Sequence, residues 1–97
     1  MNQKKYAGNP PGVDEGWSQV GQCAADGVEW CVYAKPQDHS DEWITYKIVA
    51  NGRAVTKANY WMAKNSKTGQ IGFARDYYLL RTNRPKLFEQ VDGMING

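Results

Sequence analysis

The sequence predicts an α+β domain in which an antiparallel β-meander of four to five strands carries one or two short C-terminal helices on one face. Three observations support this prediction. From Trp17 onward apolar and polar residues alternate with a period of two, glycine-containing turns separate the alternating segments, and beyond Phe73 the period becomes that of a helix. A chain of 97 residues can build one compact core but not two, so we expect a single domain over 17–97.

The N-terminal segment differs in composition from the rest. Residues 1–16 contain three glycines, two prolines and almost no large apolar side chain. Burial in such a segment cannot offset the entropy lost on ordering, so we expect a flexible N-terminal arm. The first residues also lack the apolar core of a secretory signal, and no run of about 18 apolar residues occurs. We therefore expect a cytoplasmic protein with no membrane contact.

Three segments after Trp17 have the alternation expected of half-buried strands. Their apolar residues on one face are Val28, Trp30, Val32 and Ala34; Ile44, Tyr46 and Ile48; and Ala58, Tyr60 and Met62. The segments are rich in β-branched and aromatic side chains. The turns that follow or separate them each contain a small polar residue before glycine: Asp26-Gly27, Asn51-Gly52 and Thr68-Gly69. This pattern is typical of consecutive antiparallel hairpins.

The Asn51-Gly52 turn allows a choice of register. With a three-residue loop over 50–52 and Gly52 in the left-handed conformation, Ile48 faces Ala54, and the apolar side chains of both strands share one face. A two-residue loop would instead place the apolar side of one strand against polar residues of the next. We therefore predict a three-residue loop here and, by analogy, at the other two turns.

The C-terminal segment predicts two short helices. Arg75–Arg81 can form the first, which must end at or before Arg84 because Pro85 disfavours helical backbone in the residue before it. Asn83 is a suitable N-cap for the second helix, and Pro85 suits its first turn. The second helix carries an apolar stripe that we expect to pack on the sheet: Leu87, Phe88, Val91, Met94 and Ile95.

Neither the cysteines nor the histidine form a recognisable catalytic or metal-binding pattern. Cys23 and Cys31 lie diagonally on one sheet face in the predicted register, so that a disulfide would need a register shift or a bulge, and we expect two reduced thiols. His39 lies in an acidic loop whose spacing matches no metal-binding motif, and no nucleophile motif is present. The sequence thus predicts no catalytic residue, no metal site, no cofactor and no small-molecule substrate. A small enzyme centred on His39 is kept as a third hypothesis.

Charge and aromatic residues together support a nucleic-acid-binding hypothesis. Residues 1–50 carry four lysines and seven acids, a net charge of −3, whereas residues 51–97 carry eight basic and three acidic residues, a net charge of +5. In the basic half, cations that attract phosphates alternate with aromatic rings that stack on bases. The candidate nucleic-acid-binding residues are Lys57, Lys64, Lys67, Arg75, Arg81 and Arg84.

A second binding hypothesis concerns the sheet face that the helices leave uncovered. Trp43 and Trp61 fall on this face together with Tyr33, and Lys47 borders them. Exposed aromatic residues rimmed by charge have the composition of protein-binding hot spots. Alternatively, the N-terminal arm or a strongly coiled sheet covers the same residues, which are then part of the core. We take Tyr33, Trp43, Lys47 and Trp61 as candidate protein-binding residues.

Part of the chain has a recognisable order of motifs. The order is Lys57-Ala58-Asn59-Tyr60-Trp61-Met62, then Ala74-Arg75-Asp76, then Leu79-Leu80, then Asn83-Arg84-Pro85-Lys86-Leu87. It resembles a pattern in small uncharacterised proteins of bacterial prophages and mobile elements, over residues 57–91 only, and implies no site residue because that group has no agreed activity. What the resemblance implies is action by stoichiometric contact, either with nucleic acid or with a host defence complex, as in anti-CRISPR proteins. We therefore expect a non-enzymatic inhibitor or adaptor with a protein partner, and nucleic-acid binding as the alternative.

Overall fold

The computed structural model describes residues 16–37, 42–51 and 59–96, and these form the predicted α+β fold. Five antiparallel strands lie in chain order across one sheet, and two helices follow. The elements are β1 (Ser18–Ala25), β2 (Val28–Pro36), β3 (Trp43–Asn51), β4 (Asn59–Asn65), β5 (Ile71–Gly72), α1 (Ala74–Asn83) and α2 (Pro85–Asn96). The predicted meander with C-terminal helices is therefore confirmed. The predicted arm, apart from Gly16, lies outside the described residues, as does His39.

The first hairpin has a two-residue turn, so the prediction of a three-residue loop was wrong. Ala25 pairs with Val28, which leaves Asp26 and Gly27 as the turn. Both have positive φ, 57° and 74°, as the type I′ turn of a two-residue hairpin requires. Aspartate tolerates the left-handed backbone better than most residues, so this Asp-Gly pair closes the hairpin without a bulge in the loop.

This register places the two cysteines on opposite faces of the sheet, not on the same face as predicted. Cys23 pairs with Trp30 and packs toward the helices, whereas Cys31 pairs with Gln22 and lies in a buried cluster on the other face. A change of one residue in register exchanges the faces of a whole strand, which accounts for the error. Both thiols are free, as expected.

Strands β3 and β4 pair in a register that lies six residues from the predicted one. Ile48 lies opposite Tyr60 instead of Ala54, so the connection is longer than the predicted three-residue loop, and residues 52–58 lie outside the described part of the chain. Because six is an even number, each side chain keeps its predicted face. The observed register sets two large buried side chains against each other, which removes more apolar surface from water than pairing Ile48 with an alanine.

The third turn has four residues instead of the predicted three. The backbone N–H of Asn65 donates to the carbonyl of Gln70 over 2.8 Å, which makes 66–69 the loop. The Asn65 side chain accepts hydrogen bonds from the backbone N–H groups of Lys67 and Thr68, both at 2.9 Å, and so closes the turn from within. Gly69, with a φ of 78°, supplies the left-handed residue that was predicted there.

The helices begin and end close to the predicted residues. Pro85 is the first residue of α2, where its missing N–H leaves no helical hydrogen bond unmade. The predicted N-cap, Asn83, is instead the last residue of α1, and Arg84 alone separates the helices. The Arg84 N–H donates to the Leu80 carbonyl over 2.9 Å, and its carbonyl accepts from the Phe88 N–H over 2.8 Å. One residue thus serves two helix ends, which is why the corner is shorter than expected.

One face of the sheet packs against the helices, and we call it the helix-covered face. The predicted stripe of α2 is confirmed, because two of its residues are buried in this core and three pack at its edge: Leu87 and Val91, then Phe88, Met94 and Ile95. The packing against β1 is close, since a β-carbon at Gly21 would lie 2.6 Å from the Met94 sulfur. Neither described helix combines the length and the apolar character needed to cross a membrane.

Candidate protein-binding surface

The face of the sheet opposite the helices, here called the second face, is largely covered. Two of the predicted protein-binding residues, Tyr33 and Lys47, are only 9 % and 8 % exposed, and Val49 beside them is fully buried. Trp17, which precedes β1, packs against the buried cluster of this face. The four predicted residues therefore do not form one exposed patch.

Trp61 is the exposed member of that predicted set. Trp43 is half-buried and lies against β5, where a β-carbon at Gly72 would be 3.2 Å from its Cζ3 atom. The Trp61 ring meets Trp17 edge-on with 5.8 Å between ring centres, and the Lys47 ammonium lies 4.7 Å from the Trp61 ring centre. These contacts support the Trp61 ring and leave part of it open to solvent.

Exposed aromatic side chains concentrate where β4 meets α1. Trp61, Phe73 and Tyr78 are 40 %, 64 % and 52 % exposed, and they are three of the four exposed large apolar side chains among the described residues. Trp61 and Phe73 line a groove of about 360 Å³, whose other walls are Arg75 and Asp76. We call these five residues the aromatic corner.

Phe73 has an unusual backbone conformation at the start of α1. Its φ of 52° and ψ of 48° lie in the left-handed region, and it occupies the N-cap position without a side-chain capping hydrogen bond. The left-handed region disfavours a bulky residue by roughly 1–2 kcal/mol, and N-caps ordinarily carry Ser, Thr, Asp, Asn or Gly. The fold thus holds a large apolar side chain in solvent at a position that suits a small or polar residue better.

Asp76 fixes the geometry of the aromatic corner. Its Oδ2 atom accepts a hydrogen bond from the backbone N–H of Trp61 over 2.8 Å. Strand β5 pairs only with Ala63 and Lys64, so Trp61 lies on the part of β4 that β5 does not reach. A carboxylate in the first turn of α1 is also favoured by the helix dipole. This hydrogen bond ties α1 to the sheet edge and so keeps Phe73 beside the Trp61 ring.

Two of the predicted nucleic-acid-binding lysines make contacts within the fold. Lys64 Nζ donates to the Ile95 carbonyl over 3.4 Å and to the Asn96 side chain, at the end of α2. Lys67 Nζ lies 3.6 Å from a carboxylate oxygen of Glu42. The first contact holds Lys64 against α2, whereas the Lys67 pair is largely exposed and screened by solvent.

Arg84 is also held within the fold. Its Nε atom donates to the Tyr60 hydroxyl over 3.2 Å, and its Nη1 atom lies 3.5 Å from Oδ2 of Asp26. The guanidinium carbon is 5.0 Å from the centre of the Trp30 ring. Arg84 therefore joins the helix–helix corner to β4 and to the turn of the first hairpin.

Arg75 and Arg81 are exposed on α1. Neither forms an ion pair with another residue in the part of the chain that the structure describes. The Arg81 guanidinium lies 5.2 Å from the Tyr78 ring centre, and Arg75, Tyr78 and Arg81 follow one another at intervals of three residues. The aromatic corner therefore continues along α1 as a basic and aromatic strip. Lys57, the remaining predicted member, lies outside the described residues.

Phe73 and Tyr78 are among the aromatic rings of the basic half, but neither set of candidate binding residues predicted from the sequence includes them. Of the adjacent tyrosines, Tyr77 is the one that packs on the core, edge-on against Phe88 at 5.2 Å, and this leaves Tyr78 in solvent. A detectable signal for Phe73 was present. Residues 69–73 contain no Ser, Thr, Asp or Asn, so the usual polar N-cap is missing and Gly72 and Phe73 are the residues nearest the start of the helix.

The described groups with clearly raised pKa values lie in or against the two cores. Burial raises the pKa of Cys31, and a hydrogen bond with Tyr33 offsets part of that effect. Burial also raises the pKa values of Cys23, Tyr46 and Tyr77. Among the described residues, no group of three or more His, Cys, Asp and Glu side chains is arranged to hold a metal ion. The aromatic corner itself offers apolar contact, ring stacking and arginine charge.

No family model, no curated protein and no solved structure matches this chain. The resemblance of residues 57–91 to prophage proteins therefore stays a prediction. The fold and the aromatic corner are the features from which a function can be inferred.

Proposed function

We propose that this protein is a non-enzymatic binding protein that acts by stoichiometric contact with a protein partner through the aromatic corner. The observation that carries the proposal is Phe73, an exposed phenylalanine in a left-handed N-cap conformation. Folding alone favours a small or polar residue at this position. Strained residues of this kind concentrate at functional sites, where the side chain has a role that offsets the loss of stability.

The neighbours of Phe73 support a protein interface. Trp61, Tyr78 and Arg75 belong to the three residue types that dominate binding hot spots. The groove between Trp61 and Phe73 gives one large apolar side chain of a partner a place to become desolvated. Relative to the sequence-predicted set, the proposed site keeps Trp61, uses Lys47 as a support for its ring, and replaces the buried Tyr33 and half-buried Trp43 with residues of α1.

The prophage resemblance suggests what kind of partner this is. If residues 57–91 share an origin with proteins of phages or mobile elements, the partner is a complex of the bacterial host and the protein is its inhibitor. An anti-CRISPR-like role is one form of this proposal.

Partner capture tests the proposal. Immobilised protein is incubated with a lysate of its native source, and bound proteins are quantified by mass spectrometry for the wild type, Phe73→Gly and Val20→Ala. Val20 is the matched control, because among the described residues it is the remaining exposed large apolar side chain and lies outside the aromatic corner, on β1. We expect a partner that is retained by the wild type and by Val20→Ala and is lost with Phe73→Gly. Equal recovery by all three proteins contradicts the proposal.

Nucleic-acid binding is the second candidate function, and the strip Arg75–Tyr78–Arg81 is the observation that favours it. An arginine stacked on an exposed ring is suited to phosphate and base contacts. This candidate predicts a gel shift with single-stranded or duplex oligonucleotides that weakens steeply as salt is raised. It also predicts loss of the shift in the double variant Arg75→Glu/Arg81→Glu. No shift at low salt removes this candidate.

A further inference from the structure

We infer that the partner segment bound at the aromatic corner is acidic, with one large apolar side chain for the groove and carboxylates on either side of it. This inference rests on the proposed function and specifies the chemistry of its partner. Three features of the described residues support it: the apolar walls of the groove, the sign of the charge around it, and the internal use of the other basic residues.

The groove is suited to an apolar side chain. The rings of Trp61 and Phe73 form two of its walls. The carboxylate of Asp76 accepts the hydrogen bond from the Trp61 backbone N–H, so it is committed to holding the corner together. An incoming charged group would lose its hydration here, whereas an apolar ring or branched chain gains from burial against both aromatic side chains.

The charge around the groove is positive. Arg75 lines the groove. Arg81 lies six residues further along α1, with its guanidinium over the Tyr78 ring. On the other side, the Lys47 ammonium lies 4.7 Å from the Trp61 ring centre, and the Lys35 ammonium lies 5.9 Å from that of Trp17. Of the charged groups that the structure describes at the aromatic corner, Arg75 and Arg81 are exposed and form no described ion pair, while Asp76 supplies a carboxylate to the groove wall. Such a field attracts an acidic partner and repels a basic one.

Two of the described acidic side chains form ion pairs away from the aromatic corner. Asp26 is paired with Arg84, and Glu42 is paired with Lys67. Arg75 and Arg81 have no ion-pair partner among the described residues. Partner carboxylates can therefore form charge-assisted hydrogen bonds with both guanidinium groups without displacing a described ion pair.

An acidic protein fits these observations better than a nucleic acid does. A groove that tracks a phosphate backbone needs a row of available cations. Here Lys64 and Arg84 are held against α2 and the first hairpin by their own hydrogen bonds. The Trp61 ring also has Lys47 over it and Trp17 against it, which leaves less of the ring for a stacked base.

Peptide binding tests the inference. The probes are three fluorescein-labelled nonapeptides measured by fluorescence anisotropy: one with a central phenylalanine flanked by glutamates, one with the phenylalanine replaced by alanine, and one with the glutamates replaced by lysines. A twelve-nucleotide oligothymidine is the fourth probe. We expect the first peptide to bind at least about tenfold more tightly than the other peptides, because each of those lacks either the hot-spot side chain or the carboxylates.

Charge-reversal variants locate the binding. Arg75→Glu/Arg81→Glu should weaken binding of the first peptide by about tenfold or more, whereas Lys86→Glu, the same reversal at an exposed position on α2, should change it less than about twofold. All three altered residues are exposed, so thermal melting should confirm that each variant is folded.

Several outcomes overturn the inference. These are equal binding of the phenylalanine and alanine peptides, tighter binding of the oligothymidine, or no binding of the first peptide at about 1 mM, the weak limit of a useful affinity. Partner capture separates this failure from that of the proposed function. If capture depends on Phe73 but not on Arg75 and Arg81, the aromatic corner is a binding site for a partner that is not acidic. If capture depends on none of them, both proposals fail.

Discussion

The two faces of the sheet are closed by different means. The helix-covered face is closed by α1 and α2, which bury a continuous apolar core that includes Trp30, Ile48 and Leu87. The described part of the second face has a smaller buried cluster, and Trp17 packs on it from outside the strands. At its border the second face leaves Trp61 half in solvent, next to the exposed Phe73. The difference indicates that stability comes mainly from one face, while the edge of the other is left available for contact.

The largest expected effect comes from the helix-covered face. Leu87→Ala removes a fully buried side chain of α2 and should lower the free energy of unfolding by about 2–5 kcal/mol, through lost burial and the cavity left behind. Urea unfolding followed by circular dichroism measures this effect. Val20→Ala is the control and should change stability by less than about 0.5 kcal/mol, since its side chain is exposed. A small effect of Leu87→Ala would mean that packing of α2 on the helix-covered face contributes less to stability than the burial of Leu87 indicates.

Arg84 is expected to have the next largest effect, because it connects the helix corner to the sheet. Arg84→Ala should destabilise the fold by about 1–3 kcal/mol, since it removes the hydrogen bond to the Tyr60 hydroxyl and the contacts with Asp26 and the Trp30 ring. Arg84→Lys should recover only part of this, because an ammonium cannot reproduce the geometry of the guanidinium fork. Full recovery by lysine would show that charge alone stabilises this corner.

The comparison of faces also explains what could be predicted from the sequence. That Ile48 and Trp61 lie on opposite sides of the sheet followed from the period of two, which survives a shift of six residues. The registers themselves depended on the lengths of the turns. We predicted three-residue loops, but the first turn has two residues, Asp26 and Gly27, and the connection between β3 and β4 is longer than three. The period of two therefore assigned the faces of β3 and β4 correctly despite the wrong turn length, whereas the wrong turn length at Asp26-Gly27 assigned the side chains of β1 to the wrong faces.

The candidate site was less predictable than the fold, because exposure is a tertiary property. Trp61 was identified from its place in the strand pattern. The burial of Tyr33 depends in part on Trp17, which lies outside the strand that carries Tyr33. Phe73 lay at the change from strand to helix periodicity, and only the backbone of the folded chain reveals its left-handed conformation.

Phe73→Gly should have a smaller effect on stability, and one of opposite sign. Glycine adopts the left-handed conformation without strain and is accepted at N-caps, so the free energy of unfolding should rise by up to about 1 kcal/mol. The same variant should lose partner binding, which is the combination expected of a functional residue under strain. Phe73→Asn should behave similarly, because asparagine also tolerates this backbone. Loss of stability in both variants would make Phe73 a structural residue and would remove the main support for the proposed site.

The smallest expected effect is a loss of stability at alkaline pH that involves the second face. Burial raises the pKa of Cys31 above its ordinary value of 9.0. Well below pH 9 the thiol is protonated in both the folded and the unfolded chain, so it adds no pH dependence there. As the pH rises above 9, the unfolded chain releases this proton before the folded chain does, and the free energy of unfolding falls. Tyr46 adds to the fall only above its own ordinary pKa of 10.0, because burial raises its pKa as well.

Urea unfolding at pH 8 and pH 10 can isolate the contribution of Cys31. The free energy of unfolding should fall less between the two pH values in Cys31→Ala than in the wild type. We expect the difference to be a fraction of about 1.4 kcal/mol for each pH unit above 9. Cys23→Ala is the matched control on the helix-covered face, where the thiol is only partly buried and desolvation again raises the pKa. Cys31 is buried whereas Cys23 is only half-buried, so the Cys31 thiol should be the more strongly desolvated, and Cys31→Ala should reduce the pH dependence more than Cys23→Ala. An equal decrease in all three proteins would mean that neither thiol resists ionisation in the fold, and that the second face excludes water less well than the burial of Cys31 indicates.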